Sequence, residues 1–294
     1  MTMLPYGIQP AIYRLPDATR LGRARLQVTS LSRSIEFYTT VLGLRVLARH
    51  DDAVQLGAHG DPRAILELRD GAVRPAPRGG RQGLFHFALV LPDRASLGRF
   101  LVHLADIGVH AGASDHLVSE AIYLSDPDGL GIEVYADRPR DTWQHAGREL
   151  SMATNALDAH ALAEAAGGEP WTGMPAGTTL GHMHLHVGSL EEARAFYHET
   201  LGFDLVVWSY PGALFFSAGG YHHHLGTNTW AKAQPSAADD DARLLDWEIV
   251  LPDVAAVRAA RAHVDGLGYP TKLADGGWSA RDPWGTRVTI VSGT

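Results

Sequence analysis

Short stretches of apolar–polar alternation recur along the chain, each followed by a run with helical spacing. Residues 23–28 and 182–187 show the clearest alternation, which places successive side chains on opposite faces of a strand. After the second stretch, Ser189 stands where a helix N-cap belongs, with Glu192 at capping-box spacing. Ala193, Phe196 and Tyr197 then share one helical face. Leu201-Gly202 closes the helix, because Gly202 can take positive φ. The same reading predicts further strands at 54–56, 64–68, 121–124, 131–135, 213–217 and 288–291.

The pattern repeats. LGRARLQVTSLSRSIEFYTTVLGLRVL begins at Leu21, and LGHMHLHVGSLEEARAFYHETLGFDLV begins at Leu180 and aligns with it without a gap. HFALVLPD begins at His86 and DWEIVLPD at Asp246, each followed by an alanine-containing helical stretch and later by Asp-Pro, at Asp126-Pro127 and Asp282-Pro283. Four modules in two related halves follow from this, each a strand, a helix and three more strands. One such unit cannot bury its apolar sheet face alone, and pairing two units closes a curved sheet. The expected fold is therefore α+β, with four βαβββ modules paired into two curved, barrel-like sheets with outer helices. Modules one and two occupy 1–137, a connection 138–179 and modules three and four 180–294. An alanine- and leucine-rich stretch at 157–166 predicts a helix within the connection.

Composition narrows the chemistry. The chain has 294 residues, 45% hydrophobic and 20% charged, which predicts a packed core. It has no cysteine, so disulfides, thiolate ligands and thiol nucleophiles are excluded. A net charge of -8 without a basic run argues against a nucleic-acid partner. The amino-terminal sixteen residues lack the layout of a secretory signal, and no apolar stretch approaches the ~18 residues of a membrane span. A cytoplasmic protein is expected. Sixteen histidines remain, and any transition-metal site must use them with carboxylates. No Gly-rich phosphate loop or Ser-His-Asp signature accompanies them.

The stretches LGHMHLHVGSLEEARAFY, ASDHLVSEAIYLSDPDGLGIEVYADRP and SAGGYHHHLGTNTW resemble the vicinal oxygen chelate superfamily, which includes glyoxalase I, bleomycin resistance proteins and extradiol dioxygenases. They are most similar to bacterial catechol 2,3-dioxygenase-like members. The resemblance implies metal ligands on the first and last strands of a module. Module one offers Arg23 and Glu67, and module four Asp246 and Thr289, neither a usable set. Glu67 is read as a salt-bridged or solvated glutamate and Asp246 as a cap at a strand start. Modules two and three offer His86, Glu133 and His182, a two-histidine, one-carboxylate triad suited to Fe(II) above Mn(II) or Zn(II). The site is expected between those two modules. Pairing within one chain or between two copies would assemble it, so a homo-oligomer stays open.

The resemblance also assigns catalytic duties. His223, in His-His-x-Leu, corresponds to a catalytic histidine, or else to a fourth ligand in the glyoxalase pattern. Alternation in a strand would turn His223 away from His222 and His224, leaving those two as supports behind the site or as surface groups. Tyr123, ten residues before Glu133, corresponds to a substrate-contacting tyrosine, and Asp115-His116 to the family's Asp-His region. Asn228 and Trp230 are placed at the rim. The implied activity is extradiol cleavage of a small aromatic diol by dioxygen. The alternative is a glyoxalase-like isomerase or lyase acting through a metal-bound enediolate.

Overall fold

The computed structural model describes residues 6–293; the first five residues of the amino-terminal stretch and Thr294 lie outside them. Module one contains β1 (Arg20–Val28), α1 (Leu31–Thr40), β2 (Arg45–Arg49), β3 (Ala53–Gly57) and β4 (Leu66–Asp70). Module two contains β5 (Gly83–Leu91), α2 (Arg94–Asp106), β6 (Gly112–Asp115), β7 (Ser119–Ser125) and β8 (Gly131–Asp137). The connection holds a hairpin, β9 (His145–Ala146) and β10 (Glu149–Leu150), and the short helix α3 (Ala159–Glu164) capped by Asp158. Module three runs β11 (Thr179–His186), α4 (Leu190–Ala193), β12 (Asp204–Val207), β13 (Ala213–Ser217) and β14 (Leu225–Asn228). Module four runs β15 (Arg243–Leu251), α5 (Val254–Gly266), β16 (Lys272–Ala274), β17 (Gly277–Arg281) and β18 (Arg287–Ser292).

Among the described residues, these strands build two eight-stranded sheets. One has the order β12-β13-β14-β11-β5-β8-β7-β6 and joins modules three and two. The other has the order β16-β17-β18-β15-β1-β4-β3-β2 and joins modules four and one. The sheets meet along their central strands, β1 near β11 and β5 near β15. A core including Leu26, Phe87, Leu185, Phe216 and Trp247 runs through both.

The helix after Ser189 departs from the expected winding. Ser189 does cap it, accepting from the Glu192 amide at 3.3 Å. Beyond Ala193, however, residues Arg194–Thr200 form a π-helix. Phe196, Tyr197, His198 and Thr200 are all buried there. Such π turns are rare and usually short insertions within α-helices.

Each helix tyrosine of the repeat is tied to a turn in the following module. Tyr38 donates to Asp126 at 3.1 Å, and Tyr197 to Asp282 at 2.8 Å. Burial pushes both carboxyls up to about 6, outweighing their backbone and hydroxyl donors. The folded protein therefore holds these protons more tightly than the unfolded chain, and the stability they contribute is lost as pH rises through that value. Asp126→Asn should remove one such loss. From pH 4 to 7 the variant should gain up to ~3 kcal/mol on the parent, the equivalent of about two pKa units. Parallel stability profiles by denaturant titration at the two pH values would contradict this coupling.

No helix among the described residues is long and apolar enough to cross a membrane.

Candidate metal centre

Strand register builds the site. His182 on β11 lies opposite Ala88 on β5, Ala88 opposite Glu133 on β8, and Glu133 opposite Tyr123 on β7. These four residues thus form one row across the sheet, on one face. The next row places His184 opposite His86, with Gly131 beyond it. Because His86 is two residues from Ala88, its ring shares the face of the first row. Ala88, small and fully buried, leaves room between His182 and Glu133. Gly181 leaves room for the neighbouring Tyr135 ring, since a Cβ there would sit 1.9 Å from its hydroxyl oxygen.

Three donor atoms converge as a result. His86 Nε2 lies 3.0 Å and His182 Nε2 3.1 Å from Glu133 Oε2, and the two nitrogens are 3.3 Å apart. Ligands ~2.0–2.2 Å from a common ion, at roughly right angles, have this mutual spacing. All three side chains are buried. Burial alone would raise Glu133, but the attraction and hydrogen bonds of His182 and His86 hold it well below the usual carboxylate range. Burial pushes both imidazoles down, outweighing the pull of the glutamate. Neutral imidazoles with a carboxylate are the protonation states a cation requires, and the set suits a divalent metal. The protein thus carries a His/His/Glu metal-binding site.

A cavity of about 200 Å³ opens over this triad. Phe85, Phe215, Met152 and Trp230 supply apolar walls, and His116, Tyr123, His184 and His223 bring polar atoms to it. Tyr123 is fixed from behind. His116 Nδ1–H donates to the Ala153 carbonyl at 2.7 Å, leaving Nε2 to accept the Tyr123 hydroxyl at 2.6 Å. The tyrosine oxygen keeps its lone pairs for a ligand. Burial and Glu133 push the phenol well above its ordinary range, so it remains protonated. The turn that aims His116 carries Leu117 at φ 70, the one left-handed non-glycine residue among those described. Asp115 supports it by accepting the Leu117 amide at 2.8 Å.

The histidine cluster departs from the expected strand. Residues 221–224 form an irregular segment entering β14, so alternation does not apply. His223 lines the cavity, its ring centroid 4.1 Å from that of His182. His222 takes the supporting place rather than the surface one. It is fully buried, and its Nε2–H donates to Asp137 at 2.9 Å. His222 Nδ1 consequently accepts from His223 Nδ1–H at 2.7 Å. This chain leaves the His223 Nε2 lone pair free, and burial pushes that imidazole well below its ordinary range. His224 is also buried and accepts the Ala218 amide at 3.2 Å.

Two further groups escaped the sequence reading. His184 lines the cavity and accepts from Asn228 Nδ2 at 3.0 Å. Asn228 is in turn oriented by His186 Nδ1, which donates to its Oδ1 at 2.7 Å. Asn228 is thus a buried support for the wall, while Trp230 stands at the rim, 53% exposed. The alternating His-x-His-x-His of 182–186 carried the signal, since period-two spacing puts all three rings on one face.

In the other sheet, Glu67 is buried and paired with Arg23 and Arg69. Asp246 is not a strand cap. It lies inside β15 and accepts from Arg25 at 2.8 Å. The alternation in DWEIVLPD leaves its strand start ambiguous, and the long pairing with β1 extends β15 back to Arg243.

Comparison with known proteins agrees with this geometry. The profile of the Glyoxalase/Bleomycin resistance protein/Dioxygenase superfamily matches residues 20–134 and 179–290. A Bacillus subtilis (strain 168) protein named catechol-2,3-dioxygenase is 43% identical over 281 residues, covering 94% of this chain and 98% of that protein. A solved candidate dioxygenase from Bacillus subtilis subsp. subtilis str. 168 superposes with a TM-score of 0.66 at 14% identity, over 95% of this chain and 86% of that one. Glyoxalase I from Zea mays gives 0.56 at 19% identity, over 94% and 92% of the two chains. At those identities, the two structures speak for the fold alone.

Proposed function

The chain belongs to the Glyoxalase/Bleomycin resistance protein/Dioxygenase superfamily, and from that premise we propose that it is a metal-dependent extradiol dioxygenase acting on a small aromatic vicinal diol. The observation that carries this reading is the cavity itself. A His/His/Glu set lies at the base of an apolar, aromatic-walled pocket, with a phenol and a neutral imidazole facing it. The 43%-identical relative bears the name of such an enzyme.

His86, His182 and Glu133 would hold the metal, for which Fe(II) is the choice. When bound, it would supply the redox chemistry that joins a diol to dioxygen. Three protein ligands leave positions open for small molecules. The net reaction inserts both atoms of dioxygen and breaks the ring bond beside one hydroxyl-bearing carbon.

The chain's own groups do the rest. Phe85, Phe215 and Trp230 sandwich a flat ring and exclude water. The Tyr123 oxygen accepts a hydrogen bond from a diol hydroxyl, because its own proton is committed to His116. His223 Nε2 takes a diol proton and later returns it, its orientation held by His222 and Asp137. Tyr123→Phe keeps the ring and deletes the acceptor. It should lower kcat/KM for catechol about tenfold, the worth of one hydrogen bond. An unchanged value would remove Tyr123 from the substrate-binding role.

The deciding experiment is metal analysis of anaerobically purified protein, followed by oxygen uptake with catechol. Stoichiometric iron with catechol-dependent uptake and a ring-opened product bears the reading out. Iron-loaded protein that consumes no oxygen with catechol or substituted catechols refutes it.

A further inference from the structure

The second sheet repeats the fold of the first but fills the corresponding face with arginine. Arg23 aligns with His182 in the gapless repeat, and Asp246 begins the motif that His86 begins in module two. Strand register sets one row across this sheet: Arg25 opposite Asp246, Asp246 opposite Arg287, and Arg287 opposite Arg281. A cavity of about 250 Å³ lies here, lined by Arg25, Arg69, Arg243, Arg281 and Arg287, with Asp246 as its one carboxylate. Five guanidinium groups thus face one acid in a protein of net charge -8.

Internal partners do not neutralise that excess. Arg25 is engaged by Asp246, and Arg69 by Glu67 and Asp52. Arg281 bonds a neutral group, the Gly285 carbonyl. Arg243 reaches only Asp239, which is 98% exposed, and its Nε is buried without a hydrogen-bond partner. Among the described residues Arg287 forms no ion pair or side-chain hydrogen bond, although it attracts Asp246 at longer range. Like charges gathered in a recess repel, and an unpaired buried donor costs free energy.

We propose that this recess is a binding site for a small, multiply charged oxyanion bearing phosphate or carboxylate groups. The guanidinium fork matches both groups through paired N–H···O bonds, which a halide cannot exploit. The site is separate from the metal centre, for it lies on the sheet of modules four and one. It rests on no assumption about the reaction catalysed in the other sheet.

The test is calorimetric titration of the full-length protein with inorganic pyrophosphate and, separately, with citrate, at constant ionic strength. Saturable binding of at least one, at one per chain, is expected. Binding of pyrophosphate alone assigns the phosphate class, and binding of citrate alone the carboxylate class. Arg287→Gln and Arg243→Gln should each weaken the interaction about tenfold or more, since each removes a charge-assisted bond. Without anion, Arg287→Gln should melt no lower than the parent, because it relieves repulsion. That control separates a lost site from a lost fold, with Arg243→Gln as the independent second variant. No saturable heat from either anion, or undiminished affinity in both folded variants, overturns the proposal.

Discussion

Glu133→Gln should strip the metal from the protein while leaving the fold intact, and activity should go with it. Glu133 is the single anion of the donor set, and its Oε2 is the atom both histidines approach. Glutamine keeps the volume but presents a neutral oxygen and an N–H₂ group that cannot ligate. Disturbing groups that only support metal ligands costs about 10–100-fold in affinity, so loss of the charged ligand should cost at least ~100-fold. At a fixed metal concentration that is ~2.7 kcal/mol less stabilisation from binding. The metal-free variant should melt at or slightly below the metal-free parent, because the attraction and hydrogen bonds that His182 and His86 give the charged carboxylate are weakened by an amide. The measurements are metal stoichiometry, melting temperature with and without Fe(II), and oxygen uptake. A variant that retains one metal per chain and full turnover would show that Glu133 is no ligand.

The second large effect belongs to His223. His223→Gln should lower kcat about 10²–10⁴-fold, the usual contribution of general acid–base catalysis, with metal content unchanged. Its Nε2 is free because Nδ1 is committed to His222, and His222 is committed to Asp137. Glutamine can hydrogen-bond but cannot accept and return a proton at neutral pH. Metal content and catechol-dependent uptake should be measured on one preparation. If metal and activity fall together, His223 is a fourth ligand and the glyoxalase-like alternative gains. If neither falls, the imidazole is structural.

The proposed His223 role depends on a detail that the chain does not reveal locally. Three consecutive histidines read as a strand would alternate faces. The irregular segment before β14 instead buries all three, and gives His222 the duty of orienting His223. Asp137 and Asn228 were likewise unreadable as supports, since their partners lie 85 and 44 residues away.

What the sequence by itself determined is local and repetitive. The alternation marked the strands, the Leu21 and Leu180 repeats marked the modules, and the metal-compatible residues survived in only two of them. Period-two geometry fixes which face a side chain takes, so candidates such as His182 and Glu133 could be recognised as inward-facing without knowing their neighbours. The ligand set pointed to modules two and three as neighbours, but whether they meet within one chain and in which register was decided only by the tertiary structure. Module two could pair with module one, with module three or with a second copy, because all modules present similar apolar faces. Loop-closure entropy grows too slowly with length for the connection between the halves to forbid any of these. Pairing β5 with β11 placed His182, Ala88, Glu133 and Tyr123 in one row and brought His86 to the same face. A one-residue slip would have turned one strand's ligands to the opposite face, so long-range register makes the separate ligands into one centre.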